Sequence, residues 1–130
     1  MTKLFLKLFL LFGLNQIAFS HNLDCAAINL GQFIREDRNN KTTYLTGTKT
    51  TQIEIQENIK LNIEFEINWT NECTNTLKIK KILENPRNQP NPKNRVVTCQ
   101  ILETRKSRYI QKSRAKDIEF TVTNEIIKLQ

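Results

Sequence analysis

The sequence predicts an all-β protein: an antiparallel meander of about eight or nine strands that closes as an up-and-down, lipocalin-like barrel or else curls into a sheet or sandwich. Three observations carry this. From Ile59 to Trp69, apolar Ile59, Leu61, Ile63, Phe65, Ile67 and Trp69 alternate without a fault with Lys60, Asn62, Glu64, Glu66 and Asn68. Successive side chains of a strand point to opposite faces, so this pattern buries one face and wets the other. Turn signals recur at hairpin spacing, at Asn39-Asn40, Thr46-Gly47, Glu57-Asn58, Asn71-Glu72, Lys106-Ser107, Lys116-Asp117 and Thr123-Asn124. The segments between them are rich in β-branched and aromatic residues. A half-apolar series joined by tight turns buries its apolar face most economically by closing on itself.

Taken in order, strands are expected near residues 29–36, 42–46, 49–57, 59–69, 75–83, 95–104, 107–113, 117–123 and 125–129. In the third, Ile53 and Ile55 alternate with Gln52, Glu54 and Gln56; in the fifth, Leu77 and Ile79 alternate with Lys78 and Lys80. Val97, Cys99 and Ile101 share the buried face of the sixth. Ile118, Phe120 and Val122 mark the eighth, and a helix over 104–116, which Ala115 and the charged residues tolerate, is the alternative for that stretch. Pro86, Pro90 and Pro92, set among four asparagines between Asn85 and Arg95, exclude both helix and ladder hydrogen bonds there and make a surface loop.

Residues 1–20 read as a signal peptide: Lys3 and Lys7, then an apolar run from Leu8 to Leu14, then Ala18 and Ser20 spaced for cleavage near Ser20/His21. A spanning helix needs roughly 20 apolar residues, and Lys7, Asn15 and Gln16 interrupt this run well before that. Asp24 stands where a lipoprotein wants a small residue before Cys25. The expectation is therefore an exported chain, periplasmic or secreted, without a transmembrane anchor, whose residues 21–130 form a single β-rich domain. Of the whole-chain charge of +7, two positive charges belong to the leader, which leaves +5. From His21 to Cys73 there are 5 basic and 8 acidic residues, and from Thr74 to Gln130 there are 13 basic and 5 acidic, so the second half carries the positive charge.

Glycine after the leader is confined to Gly31 and Gly47, which excludes a glycine-rich phosphate loop. The only histidine is His21, so no His-based triad is available and no enzyme activity is expected. Glu64 and Glu66 share a strand face, but it is the polar, solvated one. Three cysteines remain, Cys25, Cys73 and Cys99, and at most one internal disulfide can form. With Cys99 on a buried strand face, where a free thiol behaves as a small hydrophobe, Cys25 is paired with Cys73. A metal-binding thiol is the weaker reading, because no set of Cys or His ligands is spaced for zinc; neither metal nor cofactor is expected.

The sharpest binding signal is the run Arg105, Lys106, Arg108, Lys112, Arg114 and Lys116 with Tyr109 inside it, six cations in 12 residues. As a hairpin it would present several cations together to a polyanion, whether glycan, anionic lipid or nucleic acid. The plainer reading is a strand edge guarded against aggregation by Lys and Arg. Sequons stand at Asn40-Lys41-Thr42 and Asn68-Trp69-Thr70.

Cys25 followed by Gly31-Gln32-Phe33, then Thr51-Gln52-Ile53-Glu54, then Trp69-Thr70-Asn71-Glu72-Cys73 with Leu77, and finally Val97 to Glu103 followed by Tyr109, together resemble a family of small exported β-rich bacterial proteins. Members usually carry an aromatic residue two places after the cysteine of the Trp-x-x-x-Cys element, where Asn75 stands here. The resemblance implies an exported β domain and no established activity. Some members bear the name DNA topoisomerase IV, an enzyme for which 130 residues leave no room. The combined expectation is a non-enzymatic exported binding or envelope-associated module. Its first candidate ligand is a small apolar molecule in a barrel mouth; the alternative is a polyanion on residues 105–116. Intracellular nucleic acid is not an expected partner.

Overall fold

The computed structural model describes residues 23–25, 30–37 and 41–129. The leader at 1–20, His21, the Asn39-Asn40 turn and the Asn40 sequon lie outside those residues. Eight strands follow one another: β1 (Gly31–Asp37), β2 (Lys41–Gly47), β3 (Thr51–Gln56), β4 (Leu61–Asn71), β5 (Thr74–Glu84), β6 (Val96–Arg105), β7 (Arg108–Ala115) and β8 (Phe120–Lys128). Each pairs antiparallel with the next, and β8 returns to β1, so the sheet is a closed up-and-down barrel. Closure sets Phe33 opposite Lys128, Ile34 opposite Ile127 and Arg35 opposite Ile126.

The faultless alternation of β4 is the spine of this arrangement. Leu61, Ile63 and Ile67 are buried, and the register places Ile63 against Ile82, Phe65 against Ile79 and Ile67 against Leu77. On the outside of the same ladder Glu66 faces Lys78 and Glu64 faces Lys81, cross-strand pairs of opposite charge. The connectors satisfy themselves locally. Thr48 Oγ1 accepts the Thr51 backbone N–H at 3.1 Å, and Asn85 bonds both the N–H and the carbonyl of Gln89 at 2.9 and 3.0 Å. Two single-turn 3-10 segments, Glu57–Ile59 and Lys116–Ile118, each release the chain through a left-handed residue, Lys60 at φ 53° and Glu119 at φ 46°.

Three expectations are corrected. The strands expected at 117–123 and 125–129 are one, β8, because Thr123 and Asn124 stay in the ladder opposite Lys112 and Gln111. Asn124 takes a lumen-facing position next to the Gln111 amide, so a residue read as a turn signal is used as a strand residue. The helical alternative over 104–116 is a hairpin, with Arg105 opposite Arg108 across Lys106-Ser107. Third, β3 is inverted: Glu54 stands between Leu45 and Ile63, both buried. Directly opposed residues share a face, so Gln52, Glu54 and Gln56 point inward while Ile53 and Ile55 face out.

One end of the barrel gathers the β2–β3, β4–β5 and β6–β7 turns and the start of the described chain. There Cys25 is bonded to Cys73 across 48 residues, with Cα atoms 5.2 Å apart. Constraining a loop of that length contributes about 4 kcal/mol in the chain-entropy account. Cys73 is itself held: its N–H donates to Asn71 Oδ1 and its carbonyl accepts from Ile101 N–H, both at 2.8 Å. Cys25 thereby becomes a core residue, clustered with Phe33, Leu45, Ile101, Tyr109 and Ile126, with Trp69 and Cys73 against them. Ile67, Leu77 and Cys99 form the second cluster. Among the described residues no helix is long and apolar enough to cross a membrane.

Candidate functional site

An eight-stranded barrel has a lumen that side chains alone can fill, and here they do so with an unusual share of polar groups. Arg35 Nη2 lies 3.2 Å from Glu54 Oε1, both largely buried. Gln52 Nε2 donates to Glu54 Oε2 at 2.9 Å, and Gln111 Nε2 donates to Ser113 Oγ at 3.2 Å. Thr43 is wholly buried. Beneath Cys25 a cavity of about 20 Å³ remains, bordered by Gln52, Asn75, Gln111, Phe33, Trp69 and Tyr109. That is room for one water-sized group. Asn75 Oδ1, buried at its edge, has no hydrogen-bond donor among the described residues.

Cys99 is buried and free, 3.7 Å from Ser113 Oγ. Burial pushes its thiol from 9.0 up to about 11, the contact with Ser113 pulling the other way, so at neutral pH it is an unreactive thiol. Burial likewise raises the Tyr109 phenol.

The open site is at the rim of the same end, a groove with about 380 Å³ of room. Its cationic residues are Arg105, Lys106 and Arg108 from the β6–β7 hairpin and Lys128 from the end of β8, and its floor includes Phe33 and Tyr109. Asp24 is the single carboxylate in the lining among the described residues, and its N–H is tied to Thr104 Oγ1 at 3.2 Å. The sequence arguments name three of the four cations. They miss Lys128, which stands 20 residues beyond Arg108 and joins the hairpin because the β7–β8 pairing runs on to Arg108 opposite Ile127. The backbone fixes it there: Lys128 N–H donates to Ser107 O at 2.7 Å, and Leu129 N–H to Gln32 O at 2.8 Å. Gly31 borders this rim at φ +122°, a conformation side chains rarely adopt, and a Cβ on it would lie 3.7 Å from Lys128 Cε.

Two of the cations are partly balanced. Arg105 pairs with Glu103 at 2.9 Å and Arg108 with Glu125 at 2.8 Å, all four side chains about half exposed. Exposed pairs of this kind contribute about 0–1 kcal/mol, so a ligand anion can replace the carboxylate at small cost. Lys106 and Lys128 are in no ion pair among the described residues.

The remaining members of the basic run are elsewhere. Period two along β7 sends Arg108, Lys112 and Arg114 outward and Tyr109, Gln111, Ser113 and Ala115 into the lumen. Lys112 and Arg114 therefore stand on the outer wall, and Lys116 sits in the 3-10 turn at the opposite end. Tyr109 is no stacking platform among the cations; it is buried, edge-on to Phe33 with ring centroids 5.8 Å apart. The edge-guarding reading of the cations also lapses, because β7 is paired on both sides. No protein-family model, curated protein or solved structure matches the chain.

Proposed function

We propose that this chain is an exported, non-enzymatic binding module that takes an anionic group in the groove at the disulfide end of the barrel. The observation that carries the reading is the convergence of Arg105, Lys106, Arg108 and Lys128 on one groove of about 380 Å³. Binding sites for small ligands begin at about 300 Å³, so the groove accommodates a head group, a sugar acid or the end of a charged polymer. Low-dielectric walls beneath clustered like charges strengthen the field an anion meets. Export is supported by the leader pattern of residues 1–20 and by the disulfide, a bond that persists in oxidising compartments. Export in turn favours a glycan or lipid head group over nucleic acid as the source of the anion.

The test is retention on immobilised heparin under a salt gradient, comparing the native chain with an Arg105→Gln/Lys106→Gln/Lys128→Gln variant. These side chains are exposed or rim-lying, so stability should change by less than about 1 kcal/mol. The variant is expected to elute at clearly lower salt, because each cation withdrawn from a polyanion contact lowers the salt dependence of binding by about one counterion. Identical elution overturns the reading.

A further inference from the structure

The outer wall of β4 to β8 presents an array that the groove does not use. The register aligns Asn68, Thr76, Thr98, Arg114 and Thr121 in one row across five strands. One pleat away, Thr74, Gln100, Lys112 and Thr123 align across four. These nine side chains face out, while the alternate Asn75, Leu77, Cys99, Ile101, Ser113 and Ala115 are buried. Strands lie about 4.8 Å apart and same-face residues about 7 Å apart along a strand, so the array covers roughly 19 by 7 Å.

Its composition is selective. Five threonines, one asparagine and one glutamine surround two cations, and no carboxylate, aromatic or aliphatic side chain interrupts them. Elsewhere on the same surface Lys78 has Glu66 directly opposite it and Lys81 has Glu64. Lys112 instead lies between Gln100 and Thr123, and Arg114 between Thr98 and Thr121. A wall meant only for solubility has no need to leave its two central cations among hydroxyls, with sheet pairing complete on both sides.

We infer that this wall binds an acidic polysaccharide, Lys112 and Arg114 taking its carboxylate or sulfate groups and the threonines with Gln100 bonding its hydroxyls. Single-stranded nucleic acid is held by base stacking on aromatic side chains, which the array lacks, and an anionic membrane surface by a continuous apolar face that enters the lipid boundary, whereas the exposed Val96 and Leu102 stand singly at the two ends of the array on β6. The inference rests on the proposed function for the anionic class of ligand and departs from it in the site.

The experiment titrates the intact chain with polygalacturonate, with neutral dextran, with oligothymidylate and with phosphatidylglycerol vesicles. Lys112→Gln/Arg114→Gln is expected to weaken polygalacturonate binding about tenfold, the effect of losing one or two charge-assisted bonds. Thr98→Val/Thr121→Val, which leaves the charge unchanged and suits a strand, is expected to weaken it about threefold, as loss of two exposed hydroxyl contacts would. Unchanged polygalacturonate binding in both variants overturns the inference, and so does tighter binding to oligothymidylate or to vesicles than to polygalacturonate. The Arg105→Gln/Lys106→Gln/Lys128→Gln variant separates the two sites. If it alone loses binding, the groove stands and the wall falls; if only the wall variants lose it, the reverse holds.

Discussion

The β1–β3 wall and the β4–β6 wall differ in what they turn inward, charged and amide groups in the first and almost wholly apolar side chains in the second. In β4 to β6 the apolar alternates Leu61, Ile63, Ile67, Leu77, Cys99 and Ile101 are buried and the charged alternates face solvent. In β1 to β3 the lumen receives Arg35, Thr43, Gln52 and Glu54 beside the apolar Phe33 and Leu45, while Ile34, Tyr44, Ile53 and Ile55 lie on the outside, half-buried. The register carries Ile34, Tyr44 and Ile55 into one outer row that continues to Ile127 on β8. The lesson is that period two states that a strand has two unlike faces and does not state which is inside. That is decided by what lies opposite, and here the inward polar groups of the first wall are tolerated because they satisfy one another.

The largest effect that probes this contrast is at Glu54. Glu54→Ala removes a carboxylate that both Arg35 and Gln52 contact, and breaking a buried ion pair costs about 3–5 kcal/mol. With 17% and 14% of the two side chains still exposed, the lower end, about 3 kcal/mol, is expected in urea unfolding. Glu64→Ala, on the outer face of β4, should change stability by less than about 0.5 kcal/mol. Equal costs for the two would show that β3 keeps its polar face to solvent after all.

What the sequence made legible follows the same division. Along β4 the apolar face is the inner face, so its strand and its flanking turn at Asn71-Glu72 could be read directly, whereas the pairing of Cys25 with Cys73 followed indirectly from setting Cys99 on a buried face of β6. Along β3 the same reading puts Ile53 and Ile55 inside, and only the register against Leu45 and Ile63 corrects it. Tyr109 was within reach: Arg108 and Lys112 are four apart and share a strand face, which already puts residue 109 on the other. Lys128 was not, because it reaches the groove only if β8 runs unbroken through Thr123 and Asn124 to pair with the start of β7, and those two residues read as a turn. Asn124 misled for a related reason, since its turn propensity is overridden by a polar lumen position opposite Gln111.

A second, smaller effect separates the walls by charge. The β1–β3 side stores an ion pair, whereas the β6–β7 side stores two neutral acids, the Cys99 thiol and the Tyr109 phenol. Because the folded Cys99 pKa is raised from 9.0 to about 11, the unfolded chain releases that proton first. The thiol's contribution is fully present below pH 9 and is lost as pH rises from about 9 to 11, a decline of at most about 3 kcal/mol. Tyr109 acts in the same direction. Native Cys99→Ala should therefore show a shallower loss of stability between pH 9 and 11 in chemical unfolding. A slope identical to that of the native chain would mean that the thiol titrates normally and that this wall is wet.

The smallest effect sits at the small cavity that residues of both walls line. Asn75 belongs to the apolar side, between Trp69 on β4 and Cys99 on β6, yet it is polar, 6% exposed, and its Oδ1 has no donor among the described residues. The cavity of about 20 Å³ beside it is space that a bulkier apolar side chain would begin to fill. Asn75→Leu removes a buried acceptor whose desolvation costs about 1–3 kcal/mol and adds apolar volume. Overpacking opposes part of that gain. The expected outcome is a stabilisation of about 1 kcal/mol, which in a domain of this size raises the melting temperature by several degrees. A loss of stability instead would place Asn75 with Gln52 and Gln111 in the polar system of the first wall, and the boundary between the walls would then run through β5.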